Sequence, residues 1–192
     1  MIGRLTGKLL AKEPPLLWLD VNGVGYELEA PLSTFYKLPE PGQAVTLYTH
    51  FAVREDTHAL FAFGSPAEKA LFRQLIKVSG IGPKSALTVL SGVAVDEFWN
   101  TIRAGDAAKL TRLPGIGKKT AERLVVELRD KADDAPGAKA PGAVDGVVPQ
   151  AVSALVNLGY KPAEAQRLAE AAFAPGVTAE QVIREALKRA LR

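Results

Sequence analysis

The 192-residue sequence contains no cysteine, one methionine and two histidines. Without cysteine there is no disulfide framework, no thiolate zinc site and no cysteine nucleophile, which fits a reducing compartment. His50 and His58 lie in or beside apolar alternating runs with no second ligand near, so neither a metal nor a catalytic role is expected of them. No cofactor is expected either. No apolar run approaches the length needed to span a bilayer. Met1-Ile-Gly-Arg-Leu-Thr-Gly-Lys8 lacks a basic start followed by an apolar stretch, so no secretory leader is expected and the chain reads as cytoplasmic. The nucleotide loop Gly-x-x-x-x-Gly-Lys-[Ser/Thr] is also missing, so any ATP-driven work must be borrowed from a partner.

The net charge of +3 is small, and its distribution says more than its size. Residues 1–63 carry 5 Lys and Arg against 7 Asp and Glu, residues 64–134 carry 12 against 9, and residues 149–192 carry 6 against 4. The middle segment is therefore the candidate for an anionic partner, and the acidic first segment is a poor one.

That middle segment holds an internal repeat. Leu75-Ile-Lys-Val-Ser-Gly-Ile-Gly-Pro-Lys-Ser-Ala-Leu87 is echoed thirty-five positions later by Leu110-Thr-Arg-Leu-Pro-Gly-Ile-Gly-Lys-Lys-Thr-Ala-Glu-Arg-Leu124. Each Gly-Ile-Gly is expected to end one amphipathic helix and start another. Its glycines permit positive φ and close approach of a ligand, and its isoleucine anchors the turn in the core. The unpaired amides and dipole of the following helix favour an anion, to which Lys84, Lys118, Lys119 and Arg123 add full charges. A single Gly-x-Gly need do no more than terminate a helix. Two copies, each followed by a basic residue, resemble the helix-hairpin-helix motif, which grips nucleic-acid backbone without reading bases. The candidate DNA-binding residues are Gly80, Gly82, Lys84 and Ser85 in the first copy and Gly115, Gly117, Lys118, Lys119, Thr120 and Arg123 in the second.

Around this pair the chain divides into expected units. Residues 1–63 read as β structure, with Leu16–Val21 and Val24–Ala30 flanking an Asn22-Gly23 hairpin signal. About five strands and a short helix near Leu32–Leu38 predict a small OB-type barrel. Trp18 is expected in its core, and Arg54-Glu55-Asp56 reads as an ordinary solvated hairpin tip. Residues 64–134 predict an all-α tandem helix-hairpin-helix domain opened by the cap Ser65-Pro-Ala-Glu68, with Trp99 in its core. Residues 135–148, rich in Ala, Pro and Gly, read as a flexible linker. Residues 149–192 predict three short helices, a minimal bundle of a size that usually binds a partner. The fold class is thus α+β and multidomain.

With these segments placed, the chain resembles the RuvA family of bacterial Holliday-junction proteins, the DNA-binding partners of the RuvB motor. The likeness covers essentially the whole length. It rests on Met1-Ile-Gly-Arg-Leu5, Gly23-Val-Gly-Tyr26, Thr49-His-Phe51 with Val53-Arg-Glu-Asp56, the two glycine turns, and Ala154-Leu155 followed by Leu158-Gly-Tyr-Lys-Pro162. The resemblance implies a homotetramer on an open, square-planar four-way junction, with one or two tetramers per junction. It implies that Glu55 and Asp56 form an acidic pin at the centre. It also implies that the last, UBA-like bundle contacts the hexameric ATPase RuvB through Leu155, Leu158, Tyr160 and Leu187, with the resolvase RuvC as a further partner. On periodicity alone these four residues are simply bundle core.

The reading from a different class is a DNA glycosylase or lyase, in which Lys118 or Lys119 would be the nucleophile and Asp130 or Asp133 the acid. Neighbouring lysines serve phosphate binding equally well, and two hairpins are more than that chemistry needs.

Overall fold

A computed structural model of the chain describes residues 1–53, 55, 57–132, 146–174 and 176–190. The described chain forms two compact units, one of the barrel and the helices that follow it, the other of the last three helices.

The barrel is built from β1 (Arg4–Glu13), β2 (Leu16–Val21), β3 (Val24–Glu29), β4 (Ala44–Val53) and β5 (His58–Phe63), with α1 (Leu32–Phe35) between β3 and β4. The strands close in the order β1-β2-β3-β5-β4, antiparallel except where β3 meets β5 at Glu29 and Phe61. A closed barrel of five strands agrees with the expected OB-type fold. Asn22 and Gly23 both take positive φ, 54° and 86°, as a two-residue turn between right-twisted strands requires. Val21 pairs with Val24 across it, and the Asp20 side chain accepts from the Gly23 amide at 2.8 Å. Leu5, Leu9, Leu17, Leu19, Leu28 and Leu47 fill the interior.

Trp18 departs from expectation. It is half-buried on the outer face of β2, between the interior Leu17 and Leu19, and its indole N–H donates to Glu27 at 3.1 Å on the neighbouring strand.

The helices that follow are α2 (Pro66–Leu75), α3 (Pro83–Gly92), α4 (Val95–Arg103), α5 (Ala107–Leu110) and α6 (Lys118–Ala132). Ser65 caps α2, its hydroxyl accepting from the Glu68 amide at 3.2 Å, and Asp106 caps α5 by accepting from the Lys109 amide at 2.9 Å. One core spans the helices and includes Trp99, Phe98 and Leu124. That core also takes in Phe61 and Phe63 from β5, whose rings meet Phe72 of α2 at centroid distances of 5.1 and 4.9 Å. Residue 63 therefore marks a change of secondary structure but no break in packing. The barrel supplies part of the platform on which the first hairpin rests.

The second unit contains α7 (Val147–Asn157), α8 (Pro162–Ala172) and α9 (Ala179–Ala190) around Ala151, Leu155, Ala165, Ala169, Val182 and Ala186. Most of these core residues are small, which lets three short helices approach closely. The Thr178 hydroxyl accepts from the Gln181 amide at 3.3 Å while the Gln181 side chain accepts from the Thr178 amide at 2.8 Å, so α9 opens on a reciprocal cap. Helix α7 begins at Val147, inside the stretch expected to be linker, because Val147 and Val148 pack on the bundle core. Gly146 stands at the N-cap of α7, and linker positions 135–145 lie outside the described residues.

Candidate nucleic-acid interface

The two glycine turns are built alike. Val78 ends the approach to the first and Leu113 the approach to the second, and their carbonyls accept from the amides of Ile81 and Ile116, each at 3.1 Å. Gly80 and Gly115 take φ of 89° and 78°, the left-handed conformation that reverses the chain after a helical turn. Ile81 and Ile116 are buried in the shared core, 5% and 4% exposed. Gly82 and Gly117 then begin α3 and α6: their carbonyls accept from Ala86 and Ala121 at 3.0 and 2.9 Å.

This geometry leaves the first amides of each helix free of intrahelical partners. In the first copy they belong to Lys84 and Ser85, since Pro83 has no N–H, and no side chain caps the helix at Gly82. In the second they belong to Lys118, Lys119 and Thr120. The side chains of Lys84, Lys118 and Lys119 are exposed, and among the described residues none has an ion-pair partner. Ser85 and Thr120 are half-buried in the first helical turns. Each turn therefore joins outward amides, a helix N-terminus and free ammonium groups, a combination that suits an oxyanion.

Arg123 stands differently. Its Nη1 donates to the carbonyl oxygen of Ser79 at 2.9 Å, so the second copy's helix reaches back to the first copy's turn.

Among the described residues, the lysines of the second turn and the candidate acid Asp130 are not brought together. Lys119 and Asp130 lie at opposite ends of α6, about 16 Å apart along the axis at 1.5 Å per residue. The recess beside the second turn, about 460 Å³, is lined by Ala107, Ala108, Thr111, Ile116, Gly117, Lys118 and Glu122, with no aromatic ring to stack a flipped base. Asp133, the other candidate acid, lies outside the described residues.

Glu55 is exposed between β4 and β5, while Asp56, its partner in the expected pin, lies outside the described residues. His50 is half-buried, with its ring 5.5 Å from that of Phe72. Burial first, then the nearby Arg73 and Lys69, lower its pKa from the ordinary histidine value.

In the three-helix unit the four expected contact residues separate. Leu158 is 60% exposed just beyond α7, Tyr160 and Leu187 are half-buried, and Leu155 is fully buried. Leu155 is thus closed inside the bundle, where it packs α7 on its neighbours, and it offers no free surface. Phe173, after α8, is an exposed aromatic that helical periodicity could not single out, because it lies beyond the helix end.

The fold and the paired turns define a tandem helix-hairpin-helix protein built onto a small β-barrel. Comparisons with known proteins agree segment by segment. Residues 1–62 match the family described as RuvA N terminal domain, residues 72–130 the SAM-like helix-hairpin-helix tandem, and residues 146–191 the RuvA C-terminal domain. Proteins named Holliday junction branch migration complex subunit RuvA are similar over the whole of both chains: 58% identical over 194 residues in Xanthomonas euvesicatoria, 56% over 201 in Thioalkalivibrio sulfidiphilus and 53% over 199 in Nitrosococcus oceani. The chain belongs to the RuvA family. Among the described residues, no helix is long and apolar enough to cross a membrane.

Proposed function

We propose that the chain binds four-way junction DNA through its phosphate backbone and serves as the DNA-holding subunit of a branch-migration complex driven by the RuvB ATPase. The observation that carries this reading is the pair of like-built turns, each with a buried isoleucine anchor, helix-opening amides without intrahelical partners and exposed lysines that have no ion-pair partner among the described residues. Contacts of this kind position a protein on nucleic acid without reading its sequence, as binding a junction of any sequence requires. The names of the full-length relatives agree.

In this reading four copies surround the crossover and hold it open and square-planar. Glu55, exposed at a hairpin tip, stands with Asp56 where the arms meet. The three-helix unit recruits the motor, with Leu158, Tyr160 and Leu187 on the contact face and Leu155 holding α7 beneath it. The chain supplies no ATP hydrolysis of its own. A partner of this kind places the protein in the cytoplasm, with the chromosome.

Gel-shift titration of a four-way junction against a linear duplex of the same sequences, at fixed salt, tests the proposal. Tighter binding of the junction, independent of base sequence, is the expected result. Equal affinity for the two substrates would refute it.

A further inference from the structure

Arg123 interrupts the symmetry of the repeat. Thirty-five positions earlier the matching residue is Thr88, whose hydroxyl donates to Lys84 O at 3.0 Å within its own helix. Nothing in α3 thus reciprocates the reach of Arg123 from α6 to Ser79, across 44 positions of sequence. The guanidinium is anchored by one hydrogen bond, Nη1 donating to Ser79 O at 2.9 Å, with the Glu127 carboxylate 3.9 Å from Nε one turn along α6, a loose exposed ion pair. Ser79 directly precedes Gly80, and a Cβ placed on Gly80 would lie 3.8 Å from Nη1. The planar group therefore rests against the bend of the first turn. A guanidinium has five N–H donors in a fixed fork, so the bond to Ser79 leaves several of them available.

We propose that Arg123 is a positioning residue: it braces the first hairpin from the second, so that the two phosphate seats keep one spacing and engage the backbone as a unit. The proposal rests on the backbone-binding function argued above and adds to it. Arg123 matters through the geometry of Gly80–Ser85, beyond any phosphate contact of its own. Two seats held at fixed separation bind more tightly than two that must be ordered on contact, because the ordering entropy is already spent in the free protein.

A double-mutant cycle and hydrogen exchange test this. In junction titrations, Lys84→Ala is expected to weaken binding of the otherwise wild-type chain by a factor at least about twofold larger than it does in an Arg123→Gln background. The same Lys84→Ala change should be additive with Lys119→Ala, a phosphate contact without a brace. In the DNA-free protein, Arg123→Gln should speed exchange of the Ile81 amide, which bonds to Val78 O, and leave the Ile116 amide unchanged. Glutamine suits an exposed helix position, and a thermal melt confirms that the variant is folded. Arg123→Lys retains one donor for Ser79 and should restore part of the Ile81 protection. Additive losses for Lys84 and Arg123, or an Ile81 amide that exchanges as in the wild-type chain, overturn the proposal. The exchange arm needs no DNA, so a chain that failed to bind junctions would refute the function and still report on the brace.

Discussion

Ile81 and Ile116 occupy the same place in two copies of one turn, each buried in a single shared core and each donating its amide to the residue three positions back at 3.1 Å. The core thus holds the middle of both turns from below while the flanking glycines and lysines stay in solvent. Truncating either side chain removes apolar contacts and leaves a cavity under the turn. Ile81→Ala or Ile116→Ala should cost about 2–5 kcal/mol of stability, read by denaturant unfolding. Because the core is shared, each variant should also loosen the copy it does not touch, seen as faster amide exchange in the other turn.

The two glycines of each turn have different reasons to be glycine. Gly80 and Gly115 have positive φ, so alanine there should cost about 1–2 kcal/mol for the backbone alone. Gly82 and Gly117 lie outside the left-handed region, and a Cβ on either would meet nothing within 4 Å. The fold therefore tolerates Gly82→Ala and Gly117→Ala, and a cost to DNA binding can arise only from what approaches from outside. These variants should melt like the wild-type chain and bind junctions several-fold more weakly. Unchanged binding would mean that no backbone phosphate comes close to the turn.

Lys118 and Lys119, at the start of α6, have no ion-pair partner among the described residues. Lys118→Ala or Lys119→Ala should weaken junction binding about equally for every base sequence, and each lost phosphate contact should reduce the salt slope of binding by roughly 0.9. Titrations at several salt concentrations on two unrelated junction sequences measure both effects.

Glu55 and Asp56 are negative charges in a protein that binds a polyanion, so they cannot raise affinity by attraction. At the crossover, where the proposed function puts them, they would discriminate: an open junction leaves a central gap, whereas continuous duplex would bring phosphates against them. Replacing both with alanine should therefore raise duplex affinity more than junction affinity. The wild-type preference should also narrow as salt rises. A double variant with the wild-type ratio at low salt would make the tip an ordinary solvated turn.

His50 gives stability a pH dependence. Its pKa is lowered by burial and by Arg73 and Lys69, so below about 6.5 the unfolded chain binds protons that the folded chain resists. Its contribution is complete above that value and is lost as pH falls through it. Denaturant unfolding at about pH 7.5 and 5.5 should show a smaller loss of stability on acidification for His50→Gln than for the wild-type chain.

What the sequence by itself determined about this protein was set by short-range chemistry. The Asn22-Gly23 turn, the caps at Ser65, Asp106 and Thr178, and the glycine turns at Gly80 and Gly115 each depend on residues within a few positions of one another. Local φ and hydrogen-bond geometry decide them wherever the segment lies. The repeat was legible for the same reason, and the family resemblance rests on it. Tertiary structure decided which faces meet. In Leu16-Leu-Trp-Leu19 both strand faces are apolar, so alternation could not choose between them; closure of the barrel turned Leu17 and Leu19 inward and left Trp18 outside. The bundle's helical period marked Leu155, Leu158, Tyr160 and Leu187 alike, and packing buried the first while leaving the second exposed. Phe61 and Phe63 joined the helical core because α2 lies against β4 and β5. Arg123 read as one more phosphate ligand in its own turn, since nothing local ties it to Ser79; that bond exists only because folding brings α6 against the first hairpin.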